Sequence, residues 1–384
     1  MSGYILSQKI TPMTAQKLSE VIKKAARERA ISLNLHANLI SELPKKIGSL
    51  NNLQELDLSH NLLTQLPKEI GQLISLKSLN FSRNLINEIP KEIGQLISLK
   101  SLDFSNNQLI RLPLGIGRLI NLQFLDLSNN KLSQLSAEIG QLTSLKSLNF
   151  SNNQLIRLAS EIAQLSEIQS LDLSNNQLSQ LPAEIGSLTN LQSLDLSDNQ
   201  LEKLPLEIGY LTNLKSLNLR NNKLSELPPE IGKLTSLEFL DLRFNSVKEL
   251  PFEIGRLTNL QSLDLHGNDI NQLPTEVGRL TNLQSLDLHG NDVSQLPKEI
   301  GQLTNLQSLN LWNNNLNQLP PEIGRLTNLE FLYLHYNPLP QLPPEIEQHL
   351  KDTKKAAEVI PRYYRQILEQ KTDPLYEAKL LIIG

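Results

Sequence analysis

Apolar residues recur at fixed positions along most of the chain. The string LxLxxNxL, in which Phe, Ile or Val can replace some of the leucines, returns every 23 residues without an insertion. Its asparagine lies at Asn38, Asn61, Asn84, Asn107, Asn130, Asn153, Asn176, Asn199, Asn222, Asn245, Asn268, Asn291, Asn314 and Asn337. This unbroken period predicts a solenoid of fourteen stacked units rather than several globular domains.

One repeat illustrates how the pattern translates into structure. Leu194 and Leu196 alternate with polar residues, which predicts a short strand whose leucines face the core. Asn199 follows the strand, where its buried amide can bond backbone groups of its own turn and of the neighbouring turn. Pro205 starts the return path, and Gly209 is predicted to end a helical turn.

The repeats resemble the leucine-rich-repeat family, in the class with 23 residues per repeat and LPxEIGxLxNL on the returning segment. The resemblance covers residues 31–345. It implies an α/β solenoid with a curved parallel β-sheet on its concave face. It also implies that the concave face binds protein partners and that the chain is a scaffold rather than an enzyme.

The N-terminal segment, residues 1–30, is predicted to form a capping helix over the first repeat. Thr14 can cap its start, and apolar residues follow a helical stripe from Leu18 to Ala26. Terminal repeats of a solenoid need such a cover because their core is otherwise exposed.

The C-terminal segment carries a second resemblance. Residues 346–373 are predicted as a helical extension or linker, in which Pro361 begins a short helix. Residues 374–384 end in KLLIIG, which resembles the first strand of a P-loop GTPase domain, with Gly384 as the start of GxxxxGK[ST]. Together with the repeats, this arrangement resembles the N-terminal part of Roco proteins, in which a Ras-like GTPase domain and a dimerising domain follow.

This resemblance implies a longer parent protein that hydrolyses GTP and forms a homodimer through a later domain. GTP and magnesium would bind only in that downstream domain, and no cofactor is expected in the present chain. The other interpretation is a stand-alone repeat protein with an apolar tail.

Composition and charge narrow the classes of function. The formal net charge of −4 offers no basic footprint, so nucleic acid is not expected as a partner. The chain has no cysteine and no apolar signal segment at its N-terminus, which predicts a reducing, cytoplasmic location. No segment approaches about 18 consecutive apolar residues, so no membrane span is predicted. Because aromatic residues make up only 4% of the chain, leucine and isoleucine are expected to fill the core.

Residues between the two inward leucines form an acidic column on the outer face of the predicted sheet. Most are Asp, and interspersed Asn residues dilute the repulsion between aligned carboxylates. One hypothesis is an acidic stripe that attracts a basic protein surface. The alternative is an ordinary solvated face. The stripe comprises Asp172, Asp195, Asp241, Asp264 and Asp287.

The next outward column changes along the chain. It is Ser in the seven repeats from Ser59 to Ser197 and becomes Arg, His or Trp from Arg220 onward. Trp, Tyr and Arg dominate the energetics of interfaces, and core packing does not need them here. We therefore predict a partner-binding surface, although Arg and His could merely pair with the Asp column. The surface comprises Arg220, Phe239, Arg243, Phe244, His266, His289, Trp312, Phe331, Tyr333, His335 and Tyr336.

Catalysis is the competing interpretation of the histidines. His266 and His289 lie one repeat apart and would be near Asp264 and Asp287. An open sheet face neither excludes water nor orients ligands through a second shell. Neither HExxH, cysteine nor a Gly-rich phosphate loop accompanies them, so no catalytic residue and no metal site are predicted.

Several residues near the middle of the chain depart from the repeat pattern. Ser136 and Ala159 stand where other repeats have Pro, Ala163 replaces Gly, and Ile168 replaces Leu. These are either neutral substitutions on the convex side or a softer joint, since proline restricts the backbone.

The preferred function is a protein-interaction and regulatory scaffold of a Roco-type GTPase, which would hold a protein partner or its own GTPase module on the concave face. The alternative is an independent repeat adaptor or ligand sensor without nucleotide-linked activity.

Overall fold

The computed structural model describes residues 13–339 and 343–372 of the chain. The predicted strand at 374–384, including Gly384, lies outside the described residues. The chain divides into two compact units, Met1–Leu178 and Ser179–Gly384. The same 23-residue repeat builds both of them.

Each repeat contributes one strand of three residues. In the first unit the strands are β1 (Ser32–Asn34), β2 (Glu55–Asp57), β3 (Ser78–Asn80), β4 (Ser101–Asp103), β5 (Phe124–Asp126), β6 (Ser147–Asn149) and β7 (Ser170–Asp172). In the second unit they are β8 (Ser193–Asp195), β9 (Ser216–Asn218), β10 (Phe239–Asp241), β11 (Ser262–Asp264), β12 (Ser285–Asp287), β13 (Ser308–Asn310) and β14 (Phe331–Tyr333). Within each unit the strands are parallel and follow repeat order, as predicted, with partners such as Leu240 and Leu263 lying 23 residues apart.

A short 3-10 helix of five residues forms the return path of each repeat. In the first unit these helices are Lys45–Ser49, Lys68–Gln72, Lys91–Gln95, Leu114–Arg118, Ala137–Gln141 and Ser160–Gln164. In the second unit they are Ala183–Ser187, Leu206–Tyr210, Pro229–Lys233, Phe252–Arg256, Thr275–Arg279, Lys298–Gln302 and Pro321–Arg325. The preceding residue is extended and is usually proline, whose fixed φ suits this position.

The core contains aromatic as well as aliphatic side chains. The expectation that leucine and isoleucine alone fill it is wrong, because Phe81, Phe104 and Phe150 are fully buried in the first unit. They replace the second inward leucine of their repeats, and the rings of Phe81 and Phe104 stack with centroids 5.1 Å apart. The strand pattern admits either side chain, since both are apolar and point inward.

The asparagine ladder forms as predicted. The Nδ2 of Asn107 donates to the carbonyl oxygens of Phe104 and Ser105 in its own repeat and of Phe81 in the preceding repeat, at 3.0 to 3.2 Å. Its Oδ1 accepts from the backbone N–H of Ile86 at 3.0 Å. One buried amide therefore satisfies backbone groups of two successive repeats that water cannot reach.

The role predicted for Gly209 is wrong. It lies inside the 3-10 helix Leu206–Tyr210, which is followed by Leu211 rather than by a left-handed glycine. A Cβ at Gly209 would lie only 2.7 Å from the carbonyl oxygen of Glu230 in the next repeat. The glycine is therefore required for close stacking of the return segments.

An N-terminal helix, α1 (Ala15–Arg27), covers the first repeat. Thr14 caps it as predicted, because its hydroxyl oxygen accepts from the backbone N–H of Lys17 at 3.2 Å. Leu18 and Ile22 are buried against the return segment of the first repeat. Among the described residues, no helix is both long and apolar enough to cross a membrane.

Two helices follow the last repeat, α2 (Pro344–Glu347) and α3 (Thr353–Thr372). The predicted helix start at Pro361 is wrong, since this residue lies in the interior of α3. The helix begins earlier because the Asp352 carboxylate accepts from the backbone N–H groups of Lys354 and Lys355 at 3.1 and 3.0 Å.

The third helix packs against β14 and the last 3-10 helix. Ala356, Ala357 and Ile360 are buried there. The Nε of Arg365 also donates to the carbonyl oxygen of Gly324 at 3.1 Å. Helix α3 thus covers the last repeat in the way that α1 covers the first.

Candidate functional site

The acidic column has a structural role that the sequence did not reveal. The Oδ1 of Asp57 accepts from the backbone N–H of Ser59 at 2.9 Å, and the Oδ1 of Asp287 accepts in the same way from His289 at 2.8 Å. These short side chains therefore close the turn that ends their strands. Either Asp or Asn can do so, because both carry an oxygen in the same place.

Neighbouring side chains partly neutralise the column in the second unit. The Nδ2 of Asn218 donates to Asp195 at 3.0 Å, and the Nδ2 of Asn310 donates to Asp287 at 2.8 Å. Asp172 of the predicted stripe lies in the first unit, where it accepts from the Ser174 hydroxyl. The stripe as a docking surface for a basic protein stays a prediction.

In the second unit, five planar side chains form a continuous stack at the carboxyl ends of the strands. The ring centroids are separated by 4.8 Å for Phe244 and His266, 4.1 Å for His266 and His289, 4.5 Å for His289 and Trp312, and 6.1 Å for Trp312 and Tyr336. The planes of His289 and Trp312 are within 6° of parallel. We call Phe244, His266, His289, Trp312 and Tyr336 the ring ladder.

The two ends of the ring ladder differ. The guanidinium of Arg220 lies over the Phe244 ring, 5.5 Å from its centroid, in a cation–π contact. At the other end, 74% of the Tyr336 surface is exposed. The ladder therefore offers partners one large aromatic side chain that is still available.

The backbone beneath the ladder is strained at its two ends. Phe244 and Tyr336 have positive φ values of 53° and 55°. Most other repeats have Asn, Asp or Gly at this position, and those residues tolerate the left-handed region better than aromatic residues do. Gly267 makes room for the first of them, because a Cβ there would lie 2.9 Å from Cδ1 of Phe244.

Arg243 joins two carboxylates beside the ladder. Its guanidinium bonds Asp241 through Nε and an η nitrogen, and its Nε lies 3.3 Å from Asp264 Oδ2. These hydrogen bonds raise the pKa of Arg243. The ion pairs agree with the alternative in which basic residues neutralise the Asp column, and this holds for Arg243 but not for the stacked rings.

Two groups next to the ladder have shifted pKa values. Burial, together with the charges of Asp287 and Asp241, raises the pKa of Asp264 to about 6, although the His266 backbone and Arg243 oppose this shift. Burial lowers the pKa of His266, and the neighbouring His289 and arginines act in the same direction. Both shifts favour uncharged forms, as expected where like charges meet in a partly dry environment.

The remaining predicted residues border the ladder. Phe239 is exposed on β10, and Phe331 on β14 lies under the Lys354 ammonium of α3, 5.5 Å from the ring centroid. Tyr333 follows on the same strand and is half-buried. His335 meets Tyr336 edge to face at 6.4 Å. The structure thus brings these residues to one face of the second unit, but Phe331 is partly claimed by α3.

The arrangement is suited to contact rather than to chemistry. The two imidazoles of His266 and His289 stack face to face, which is not the geometry of two ligands converging on one metal. Among the residues described, no group of three or more metal-ligating side chains occurs. Rings that hold one another in place can meet a partner with little further loss of side-chain freedom.

The repeat pattern did not lead to a second feature of the same unit. A groove of about 690 Å³ lies just before the strands β9–β14. Gln261, Gln284 and Gln307 line it at the same position of three successive repeats. The available signal was an unbroken run of amide side chains in one register.

Comparisons with known proteins agree with the repeat. A family model described as a leucine-rich repeat region matches residues 31–107, 68–151, 158–242, 207–291 and 274–351. A second model, described as a leucine-rich repeat, matches residues 144–165. A comparison with curated proteins gave no match.

Solved structures with the same architecture include an LRR protein of Leptospira interrogans. It is 44% identical with a TM-score of 0.81, over 86% of this chain and 83% of that one. The plant peptide hormone receptor RGFR1, solved in complex with RGF2, is 34% identical with a TM-score of 0.72. That match covers 80% of this chain and 51% of the receptor.

An internalin of Listeria monocytogenes is 24% identical with a TM-score of 0.70, over 82% of this chain and 92% of that one, and shares the fold. The family-model matches extend over most of the repeats and agree with the strand register and the asparagine ladder. The chain belongs to the leucine-rich-repeat family.

Proposed function

We propose that the chain is a protein-binding scaffold and that it holds a partner protein against the ring ladder of its second unit. The observation that carries this proposal is the stack from Phe244 to Tyr336. The scaffold does not need these rings, since Ser, Asn or Gly at the same positions supports the same strands and turns in other repeats.

The energetics of interfaces support this role. Trp, Tyr and Arg are enriched among the side chains that contribute most to binding, and a few such residues dominate an interface. The strain at Phe244 and Tyr336 is a further argument, because unfavourable backbone conformations cluster at functional sites. The related receptor RGFR1 was solved in complex with RGF2, which supports a binding role for repeats of this kind.

A variant that restores the residues of the first unit tests the proposal. Arg243→Ser, Trp312→Ser and Tyr336→Asn together introduce residue types that occupy these columns in many other repeats. Partners captured by the wild-type chain are identified by mass spectrometry, and their affinities are measured with the purified proteins. We expect the triple variant to lose roughly 10-fold or more in affinity for at least one of them.

Ser105→Ala with Ser128→Ala is the matched control, since it changes the same column in the first unit. Unchanged affinity of every partner for the triple variant would contradict the proposal. Equal losses in the control would place the interface elsewhere.

We further propose that the chain is the regulatory arm of a Roco-type GTPase, in which case the partner is the GTPase module of the same protein. This finer proposal rests on the EAKLLIIG sequence at the end of the chain, outside the described residues. Reading the gene beyond the codon for Gly384 tests it. Continuation into xxxxGK[ST] supports it, whereas a stop codon leaves the stand-alone adaptor as the better account.

A further inference from the structure

The groove in the second unit is a candidate site separate from the ring ladder. It lies at the amino-terminal side of the strands, whereas the ring ladder follows their carboxyl ends. Its volume of about 690 Å³ is in the range of ligand sites. We call it the amide groove, after Gln261, Gln284 and Gln307.

The three glutamines have hydrogen-bonding capacity to spare. Each side chain offers two N–H donors and one carbonyl acceptor. Among the described residues, none forms a side-chain hydrogen bond with these amides. All three are at least partly exposed, so a ligand in the groove can reach them.

Asparagines beside the glutamines are fixed in orientation. The Nδ2 of Asn282 donates to the carbonyl oxygen of Thr258 at 2.9 Å, and that of Asn305 donates to Thr281 at 2.8 Å. Each of these bonds spans two repeats and holds the amide in the groove wall. The side-chain oxygens and the second N–H groups remain for a ligand.

The lining is neutral along most of its length. Lys215 and Glu238 lie at one end, where their charged groups are 3.8 Å apart and balance each other. Amides that donate and accept equally match hydroxyl groups, which also do both. A charged ligand would find no compensating charge among the glutamines.

The spacing distinguishes between two kinds of linear ligand. Parallel strands are about 4.8 Å apart, so the groove presents one glutamine per 4.8 Å or so. An extended peptide rises about 3.3 Å per residue, and its groups on one side recur only every second residue, out of step with the repeats. A chain of β-1,4-linked sugars has units similar in length to one repeat.

The first unit lacks this run. The position of the three glutamines is occupied there by Gln54, Lys77, Lys100, Gln123, Lys146 and Gln169. Lysines interrupt the amides and bring positive charge. The unbroken amide run is therefore not a requirement of the repeat.

We propose that the amide groove binds a neutral, linear, β-1,4-linked oligosaccharide, with about one sugar unit per repeat. The hydroxyl groups of successive sugars bond the amides of Gln261, Gln284 and Gln307. This site does not depend on the protein partner of the ring ladder.

The test uses cellohexaose and chitohexaose as probes, with saturation-transfer NMR to detect binding and calorimetry to measure affinity. Gln261→Ala, Gln284→Ala and Gln307→Ala should each weaken binding roughly 2- to 10-fold, as expected for one lost hydrogen bond. Circular dichroism should be unchanged, because these side chains are at the surface.

Gln123→Ala in the first unit is the matched control and should leave sugar affinity unchanged. Trp312→Ser should also leave it unchanged, which separates this site from the ring ladder. The proposal is overturned if neither hexasaccharide binds or if the triple glutamine variant binds them normally. Competition by a neutral, capped Ser/Gly hexapeptide without binding of either sugar would instead assign the groove to polypeptide.

Discussion

The two units use one repeat but place their aromatic side chains on opposite sides of the strands. In the first unit Phe81, Phe104 and Phe150 are buried in the core, and serines follow the strands on the outer face. In the second unit leucine fills the equivalent core positions, and the ring ladder occupies the outer face. The same strands and asparagines support both arrangements.

The difference shows which positions the fold constrains. Inward positions accept any apolar side chain that fills the space, and the buried asparagine is present in every repeat of both units. Outer positions carry no such constraint, so a long run of rings there needs a reason beyond folding. Binding of a partner is that reason in the present account.

The largest expected effect tests whether the scaffold is equivalent in the two units. Asn107→Ala and Asn291→Ala should each lower the free energy of unfolding by about 3 kcal/mol, because each leaves several buried backbone groups unpaired. Urea denaturation measures both. Asn305→Ala, which removes one exposed bond to Thr281, should cost less than about 1 kcal/mol. A large difference between the first two variants would show that the units do not share one ladder.

The second prediction concerns the charge beside the ring ladder. Because burial raises the pKa of Asp264 to about 6, its carboxylate favours folding below about pH 4, and that contribution is lost as pH rises to about 6. Asp264→Asn keeps the oxygen that accepts from His266 but removes the charge. It should therefore raise the free energy of unfolding by about 1–2 kcal/mol at pH 7.5, after discounting for partial solvent exposure, and by almost nothing at pH 4.

Thermal and urea denaturation across this pH range provide the measurement. Asp103→Asn, the same change in the first unit, is the control and should show a smaller pH-dependent difference. A constant stabilisation at every pH would mean that the ionised carboxylate of Asp264 is not the cause.

The third prediction separates binding from stability at the open end of the ladder. Tyr336→Asn places in the left-handed conformation a residue that tolerates it, and 74% of the tyrosine surface is exposed. The variant should therefore gain about 0.5–1 kcal/mol in the free energy of unfolding while losing affinity for the partner. Asn313→Asp is a mild control in the same column and should change neither quantity much. A destabilised Tyr336→Asn chain would indicate that the tyrosine serves the fold.

The smallest effect is expected in the first unit, where Ser136 stands in place of proline. Its φ of −67° and ψ of 147° suit proline, and its hydroxyl is buried without a hydrogen-bond partner among the described residues. Ser136→Pro should stabilise the chain by about 0.4–1 kcal/mol, chiefly by restricting the unfolded state. Pro90→Ser is the reverse control. Destabilisation by Ser136→Pro would instead favour a joint that relies on backbone freedom.

Much of the fold follows from the sequence because its pattern is local and repeated. The strands, the asparagine ladder and Thr14 as a cap depend on apolar spacing and on single side chains with one clear role. The start of α3 was misplaced because proline at position 361 was treated as a helix start, whereas the Asp352 cap and burial against the last repeat determine it.

The candidate site was predicted only in part. Alignment of the columns placed Arg243, His266, His289 and Trp312 on one face, but it did not predict that their neighbours stack into one ladder. That depends on side-chain directions at positive φ, as for Phe244 above Gly267. The amide groove was missed because glutamine at a polar position seems unremarkable until three occur in register.

The most direct test of the central claim is the footprint of a captured partner, measured by hydrogen exchange with and without it. The account predicts slowed exchange of backbone amides in residues 239–245, 262–268, 285–291, 308–314 and 331–337, which follow the ring ladder, with little change between residues 32 and 178. Slowed exchange confined to the first unit or to the 3-10 helices of the return path, with no change in these segments, would contradict it.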